Sequence, residues 1–337
     1  MWAGPGSIDT TIFPERLLSG FQPTKSFHLG HWSGAIQPCH RFQNLYPGQC
    51  YLVVADLHAM TGRNSGESMR ATTQAAACSL LALGIDPDRC VIYRQSDAPQ
   101  VCELMWILAC SLGKGHLDRS HAYKAAVNRG TPVSVGLFLY PLLQVADILA
   151  MRSTRVPAGP DQRQSVELAR DVARRVNYLS NTLVLPEPTL ASSGDSIALS
   201  GTDGIHKMSV QYDNYVSIFE DEMVISNQIN SITSPATPIG VGVDPKIVPA
   251  FRLLKVICSD DQVEHVRSAL KAGSLGMAEL KEVLLSNFLN RFAEPRERYR
   301  ELASDYNLVN EILADGAARA RKEAVDTITV VKEVMKL

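Results

Sequence analysis

No run of about 18 or more apolar residues, the length a helix needs to cross a bilayer, occurs in this chain, so a membrane is not an expected partner. The opening Met1-Trp2-Ala3-Gly4-Pro5-Gly6 has neither a basic nor an apolar stretch; no secretory leader is expected there, and the expected place of work is the cytoplasm. Positive charge is not in excess: 33 Lys and Arg face 35 Asp and Glu, a net charge of −2. No global field draws nucleic acid, DNA is not an expected partner, and any RNA has to be held by local patches. The seven cysteines form no C-x-x-C and their number is odd, which fits neither a zinc knuckle nor a disulfide framework. Reduced thiols in apolar surroundings, as in Ala77-Cys78-Ser79-Leu80, are expected instead, with no dedicated metal site. Internal repeats and long low-complexity linkers are missing too.

The rest is the composition of a globular protein, 45% apolar and 20% charged over 337 residues, enough for one large domain with an appendage or for two. Arg16 to Phe21 reads as a short buried strand, and a helix follows His31, with a kink or restart near Gln37 because of Pro38. Tyr51-Leu52-Val53-Val54-Ala55-Asp56 is the clearest strand; it places His58 just beyond its carboxyl end, where open parallel sheets bind ligands. Helical spacing over Ser68 to Leu83 stops at Gly84-Ile85-Asp86-Pro87. Cys90 to Tyr93 is a further strand, and Gln95 to Pro99 offers cap chemistry for a helix through Leu108. Strand alternating with helix predicts a doubly wound parallel sheet. Gly113 to Pro132 reads as polar loop, Val156 to Gln162 as a loop feeding a helix over Arg163 to Val176, and Lys246 to Leu337 as helices.

Three constellations carry chemistry. In His28-Leu29-Gly30-His31 the imidazoles share a face if a helix begins there, and Gly30 lets a base or a phosphate approach the backbone. Neutral imidazoles and the first free N–H groups of a helix then donate to phosphate oxygens. In the apolar run Leu137 to Leu149, Tyr140, Gln144 and Asp147 fall on one stripe at i, i+4 and i+7. They either satisfy one another or line a pocket for a small, polar-ended, otherwise apolar molecule. Between Ser192 and Asp213 the chain is polar and glycine-rich; Gly201 and Gly204 read as hinges of a loop that brings Lys207 and Ser209 to phosphates.

His28-Leu29-Gly30-His31 followed far downstream by Lys207-Met208-Ser209 resembles the H-I-G-H and K-M-S-K-S pair of class I aminoacyl-tRNA synthetases. Within them the chain is similar to the tryptophanyl family: Ser19-Gly20-Phe21-Gln22-Pro23-Thr24, Asp56-Leu57-His58-Ala59-Met60-Thr61, Gly84 to Pro87, Gln95-Ser96, Tyr140-Pro141 through Leu149, and Val156 to Gln162 all resemble that family's motifs. So do Gly201 to Gly204, Pro295 to Tyr299 and Ile312 to Ala317. The resemblance implies a Rossmann-type doubly wound sheet with a C-terminal helical domain. It implies ATP-dependent formation of tryptophanyl-adenylate from L-tryptophan, transfer to tRNA, Mg²⁺ bound with ATP, and a homodimer. By the same resemblance His28, His31, Lys207 and Ser209 are catalytic, and Gln22, Pro23, Thr24, Gly30, His31, Gly159, Pro160, Asp161, Ala198, Lys207, Met208, Ser209, Val210 and Gln211 hold ATP. Asp147 would accept the indole N–H; Tyr140, Gln144, His58 and Gln162 would frame the rest of the amino acid. A pocket fitted to the largest side chain rejects smaller ones by lost contact, so no editing domain is expected.

The implied domains are 1–200, a Rossmann-type catalytic unit with an inserted helical segment; 201–220, the lysine loop; and 221–337, an anticodon-side helical unit whose last helices return to the catalytic unit. Asn290-Arg291-Phe292, Arg296, Arg298 and Arg300 read either as a solvated face paired with Glu294, Glu297 and Glu301 or as an RNA contact. The chain departs from the family at Val210, where the loop ordinarily has a second lysine, at Gln144, at Pro160 and at Ala109. The departures keep two further readings open: a paralogue using the same chemistry in biosynthesis, and a catalytically impaired regulatory homologue.

Overall fold

The computed structural model describes residues 14–23, 27–62, 68–130, 132–159, 163–179, 182–189, 199–238 and 240–337. Five parallel strands form one sheet in the order β3-β2-β1-β4-β5: β1 Leu17–Phe21, β2 Cys50–Val54, β3 Cys90–Arg94, β4 Arg155–Pro157 and β5 Glu187–Thr189. Leu17 pairs with Cys50 and Phe21 with Val54, while Cys50 pairs with Cys90 and Val54 with Arg94. Strand order reverses between β1 and β4, which pair at Leu17 and Arg155. The crevice beyond the carboxyl ends at such a reversal is where doubly wound sheets bind ligands.

The period of two along the strands sorts side chains onto two cores. Leu17, Phe21, Leu52, Val54 and Ile92 face a core shared with Leu29, Trp32 and the Met69–Ala82 helix. Leu18, Tyr51, Val53, Val91 and Tyr93 face the other, with the helices Gln100–Cys110, Val135–Ala150 and Arg163–Asn177. Both faces are therefore covered, as an all-parallel sheet requires. The sequence did not mark β4 and β5. Each has three residues and a proline, and β5 lies at the sheet edge, where proline's missing N–H is tolerated. Gly113 to Pro132 is not simply loop: it holds the helices Gly115–Asp118 and His121–Asn128.

The first helical run restarts at Gln37, with an α-turn Leu29–His31, a π-helical stretch Trp32–Ile36, and an α-helix Gln37–Leu45 that takes Pro38 in its first turn. The backbone stays helical throughout, with Gln37 N–H donating five residues back to the Trp32 carbonyl, and the proline sits where that wider π-helical turn gives way to the α-helix. From Glu222 to Ser304 the chain forms a helical bundle whose core continues that of the sheet's first face: Trp32 meets Phe292 edge-on at 5.8 Å, and Phe288 lies 4.8 Å from Phe292.

The last helix, Asn307–Met335, lies against the outer edge of β3. Its Leu313 joins the first core and its Ala317, Ala320 and Val331 the second, so one helix seals an edge that otherwise invites strand pairing. Arg16 at the start of β1 reaches Glu323 of this helix at 2.7 Å and the Met151 carbonyl at 2.8 Å. The approach to β3 depends on Gly316, where a β-carbon would fall 1.9 Å from the Ile92 carbonyl oxygen. Alanine ordinarily strengthens a helix by about 1 kcal/mol over glycine. Here the overlap dominates, and Gly316→Ala is expected to cost about 1–3 kcal/mol, read as a lower urea midpoint; an equal or higher midpoint would sink this account of the packing.

Candidate active site

The two histidines cap the helical run they open. Gly30 N–H donates to His28 Nδ1 at 3.2 Å, and His28 N–H donates to His31 Nδ1 at 3.2 Å. Both Nδ1 atoms are acceptors, so in the neutral rings the proton sits on Nε2, a donor directed away from the cap. The ring centroids are 3.8 Å apart. Burial, then the neighbouring His31 and Lys207, pull His28 down to about 2; burial and Lys207 pull His31 down to about 4. At neutral pH both are uncharged donors.

The lysine loop docks on this pair. Leu29 N–H donates to the Val216 carbonyl at 3.0 Å and Ile218 N–H to the Phe27 carbonyl at 2.9 Å, so the chain leaving the loop runs beside the histidine turn. Met208 is 3% exposed and belongs to the core. Its Cβ lies 3.4 Å from where a Gly30 side chain would begin, and His28 Nδ1 lies 3.0 Å from that point. Met208 thus anchors the loop from below, while Lys207 stands exposed above. Asn214 fixes the loop's shape: its amide donates to Asp203 at 3.0 Å and to the Lys207 carbonyl at 3.2 Å, and its oxygen accepts from Ser209 N–H at 2.8 Å. A β-carbon at Gly201 would sit 2.2 Å from the Asn214 side chain, so this glycine is the notch that admits Asn214. Gly204 is held in a turn, at φ 70° against Pro249.

A second set of groups stands at the carboxyl ends of β2 and β3. Asp56 accepts from Ser96 N–H at 2.9 Å and ties the two ends together. His58 N–H donates to Gln95 Oε1 at 3.2 Å; the Gln95 amide nitrogen donates to His58 Nδ1 at 2.8 Å and to Asp147 Oδ2 at 2.7 Å. His58 Nε2 faces the Tyr140 carbonyl at 3.3 Å, which makes Nε2 the protonated nitrogen. Burial lowers the His58 pKa, consistent with a neutral ring. Asp147 is 4% exposed, and burial drives its carboxyl well above the usual carboxylate range, against the opposing Gln95 hydrogen bond. Its other oxygen, Oδ1, has no partner among the described residues. A buried carboxylate oxygen left open is costly unless a ligand donor fills it.

Gln22 follows β1 and is exposed, Pro23 is buried, and Gly159 follows β4 and is exposed. They flank the reversal of strand order. Tyr140 and Gln144 are half-buried on the helix that carries Asp147, with Tyr140 edge-on to His58 at 6.1 Å. Ser209 caps the turn Val210–Tyr212, where Val210 and Gln211 are exposed. Thr24, Pro160, Asp161, Gln162 and Ala198 lie outside the described residues.

Residues 14–293 match the family model described as tRNA synthetases class I (W and Y). This chain belongs to that family. The synthetase chain is 37% identical to the tryptophan–tRNA ligase of Neisseria meningitidis over 95% of its own length and 97% of the relative's. It is 37% identical to that of Rhodopirellula baltica, over 93% and 97%. The tryptophanyl-tRNA synthetase of Campylobacter jejuni, solved with ADP and tryptophan, superposes with a TM-score of 0.85 at 36% identity, covering 96% of this chain and 100% of that one.

Two residues without a site role in the sequence reading hold groups of the candidate site in place. Gln95 reads from the sequence as cap chemistry and as half of a family-like Gln-Ser pair, yet no side-chain cap forms on the Gln100–Cys110 helix and the amide turns inward to Asp147; its signal is a polar residue directly after a buried strand. Asn214 had no signal beyond its nearness to Lys207. Arg296 moves the other way: it is 5% exposed, bonded to Glu222 at 3.2 Å and to the Glu220 carbonyl at 3.2 Å, so it braces the bundle and offers RNA nothing.

Proposed function

We propose that this chain is a tryptophan–tRNA ligase: it activates L-tryptophan with ATP to tryptophanyl-adenylate and pyrophosphate, then transfers the amino acid to tRNA(Trp). One observation carries the choice of amino acid. Asp147 Oδ1 is buried and unpartnered, and the indole N–H is a donor without acceptor capacity that such an oxygen fits. Tyr140 and Gln144, on the same helix face, would hold the amino-acid end, and Gln162 is proposed as a further contact to it. His58, bound on both ring nitrogens, would shape the wall.

The nucleotide would lie across the reversal of strand order, between Gln22 and Pro23 after β1 and Gly159 after β4, with Gln211 at its rim; Thr24, Pro160, Asp161 and Ala198 are proposed as further nucleotide contacts. The Nε2–H groups of His28 and His31 would donate to phosphate oxygens while uncharged, and Lys207 and Ser209 would meet the departing pyrophosphate from above. Met208 acts by anchoring the loop. Catalysis is then positioning plus stabilisation of phosphate charge. Mg²⁺ would enter on the triphosphate and supply further charge neutralisation there; the donor set offered by this chain, N–H groups and an ammonium, suits phosphate oxygens. The expected assembly is a homodimer at work in the cytoplasm, without a DNA partner. Among the described residues no helix is long and apolar enough to cross a membrane. Identity of 37% over 95% of the chain disfavours the biosynthetic and regulatory readings.

Tryptophan-dependent ATP–pyrophosphate exchange followed by charging of tRNA(Trp) tests the proposal. Exchange with tryptophan and none with tyrosine is expected; absence of exchange, or exchange without charging, would overturn it.

A further inference from the structure

Gln95 occupies a position where one amide does two things to one carboxylate. Its nitrogen donates to Asp147 Oδ2 at 2.7 Å and to His58 Nδ1 at 2.8 Å, while its oxygen accepts from His58 N–H at 3.2 Å. All of its strong hydrogen-bonding capacity is spent inside a site where it is fully buried, so it has nothing left to offer a substrate directly. The consequence falls on Asp147. With Oδ2 occupied and the carboxyl plane fixed by Gln95, Oδ1 is the one oxygen of the pair left open. His58 cannot replace the amide, since its Nδ1 lies 3.8 Å from Asp147 Oδ2 and is itself an acceptor in the tautomer that donates to the Tyr140 carbonyl.

We infer that Gln95 is the positioning residue that gives this pocket its demand for a ring N–H, acting through Asp147 by aiming Oδ1 at the ligand and keeping it an acceptor. The inference rests on the tryptophan reading of the pocket. Its physical basis is competition at one oxygen. A proton on Oδ1 and a ligand N–H exclude one another, and the Gln95 hydrogen bond opposes the rise in Asp147 proton affinity that burial causes. The other groups facing Asp147 do not relieve that rise: His58 is neutral, the Asp56 carboxylate adds to it, and Tyr93 and Cys102, whose own pKa values are raised, are uncharged there. Without the amide, the carboxyl turns freely and takes up its proton at higher pH. The site then loses its preference for a donor while its shape remains.

The test pairs a protein change with a ligand change. Gln95→Met keeps length and volume while removing the amide, and Gln95→Leu is a second variant in case the thioether packs badly. Each is assayed by ATP–pyrophosphate exchange with tryptophan and with the analogue whose ring carries sulfur in place of N–H. The wild type is expected to favour tryptophan by about 10²–10⁴-fold in kcat/KM. In both variants that ratio is expected to fall to within about tenfold, through a higher tryptophan KM that improves as pH rises, with the analogue and the ATP KM changed by less than about threefold. Equal losses for tryptophan and analogue, at any pH, would show a merely structural role and overturn the inference. An unchanged ratio in a folded variant would overturn it as well. A wild type that does not discriminate the two would overturn the pocket reading itself, and the role of Gln95 with it.

Discussion

Asp147→Ala is expected to lower kcat/KM for tryptophan by about 10²–10³-fold in pyrophosphate exchange, with the ATP KM little changed. The indole N–H proposed to bind here would lose its acceptor, and the Gln95 amide would lose Oδ2, which it now holds at 2.7 Å. Truncating one partner of a buried, hydrogen-bonded charged group costs about 2–5 kcal/mol, and about 1.4 kcal/mol is tenfold. Asp147→Asn is expected to be nearly as damaging. If the asparagine oxygen accepts from Gln95, its NH₂ group points donor-to-donor at the indole; if it is turned round, the NH₂ group meets the Gln95 amide nitrogen instead. Neither orientation satisfies both neighbours. A tryptophan KM in Asp147→Asn equal to that of the wild type would refute the assignment of Oδ1 as the indole acceptor.

The second large effect is on the loop. Lys207→Ala is expected to reduce the rate of adenylate formation by about 10²–10³-fold while leaving the tryptophan KM near its starting value, because the charge it supplies matters most as pyrophosphate leaves. The Lys207 charge lowers the proton affinity of both His28 and His31, so it acts on the same pair of imidazoles that would hold the phosphates. If the loop resembles K-M-S-K-S, as its Lys207-Met208-Ser209 implies, Val210 takes the place of a second lysine. It is 37% exposed and opens a one-turn helix on the loop's outer side, so a longer side chain there buries nothing. Val210→Lys is therefore expected to raise the exchange rate, by about tenfold on the scale of one added charge contact, with Val210→Leu unchanged. A Val210→Lys variant no faster than the wild type would mean that Lys207 and the two histidines already neutralise the leaving group, and that this departure from the family costs nothing.

His28-Leu29-Gly30-His31, the Asp147 helix and the Lys207 loop were legible because each bears its chemistry in residue type and spacing. Two imidazoles around a glycine, a carboxylate inside an apolar helix and a lysine among glycines stand out in any fold. The three long strands were legible from continuous apolar runs. β4 and β5 were not, since three-residue strands containing proline have no alternation to detect. Arg296 looked like part of a basic face because sequence spacing shows which side of a helix a residue takes but not what packs on that side; Glu222 and the Glu220 carbonyl arrive from another element.

By itself the sequence determined the chemistry available, since side-chain type sets which groups can donate, accept or carry charge, and it determined the class of fold through its alternating strands and helices. Only the tertiary structure decided how those groups share protons and hydrogen bonds. That Gln95, just after β3, leaves Asp147 with one open oxygen and that Gly316 lets the last helix seal β3 are contacts between residues far apart in the chain, and that Asn214 and Gly201 lock the lysine loop depends on how the loop folds back on itself. Hydrogen-bond satisfaction and close packing are properties of neighbours in space, which a local pattern along the chain does not contain.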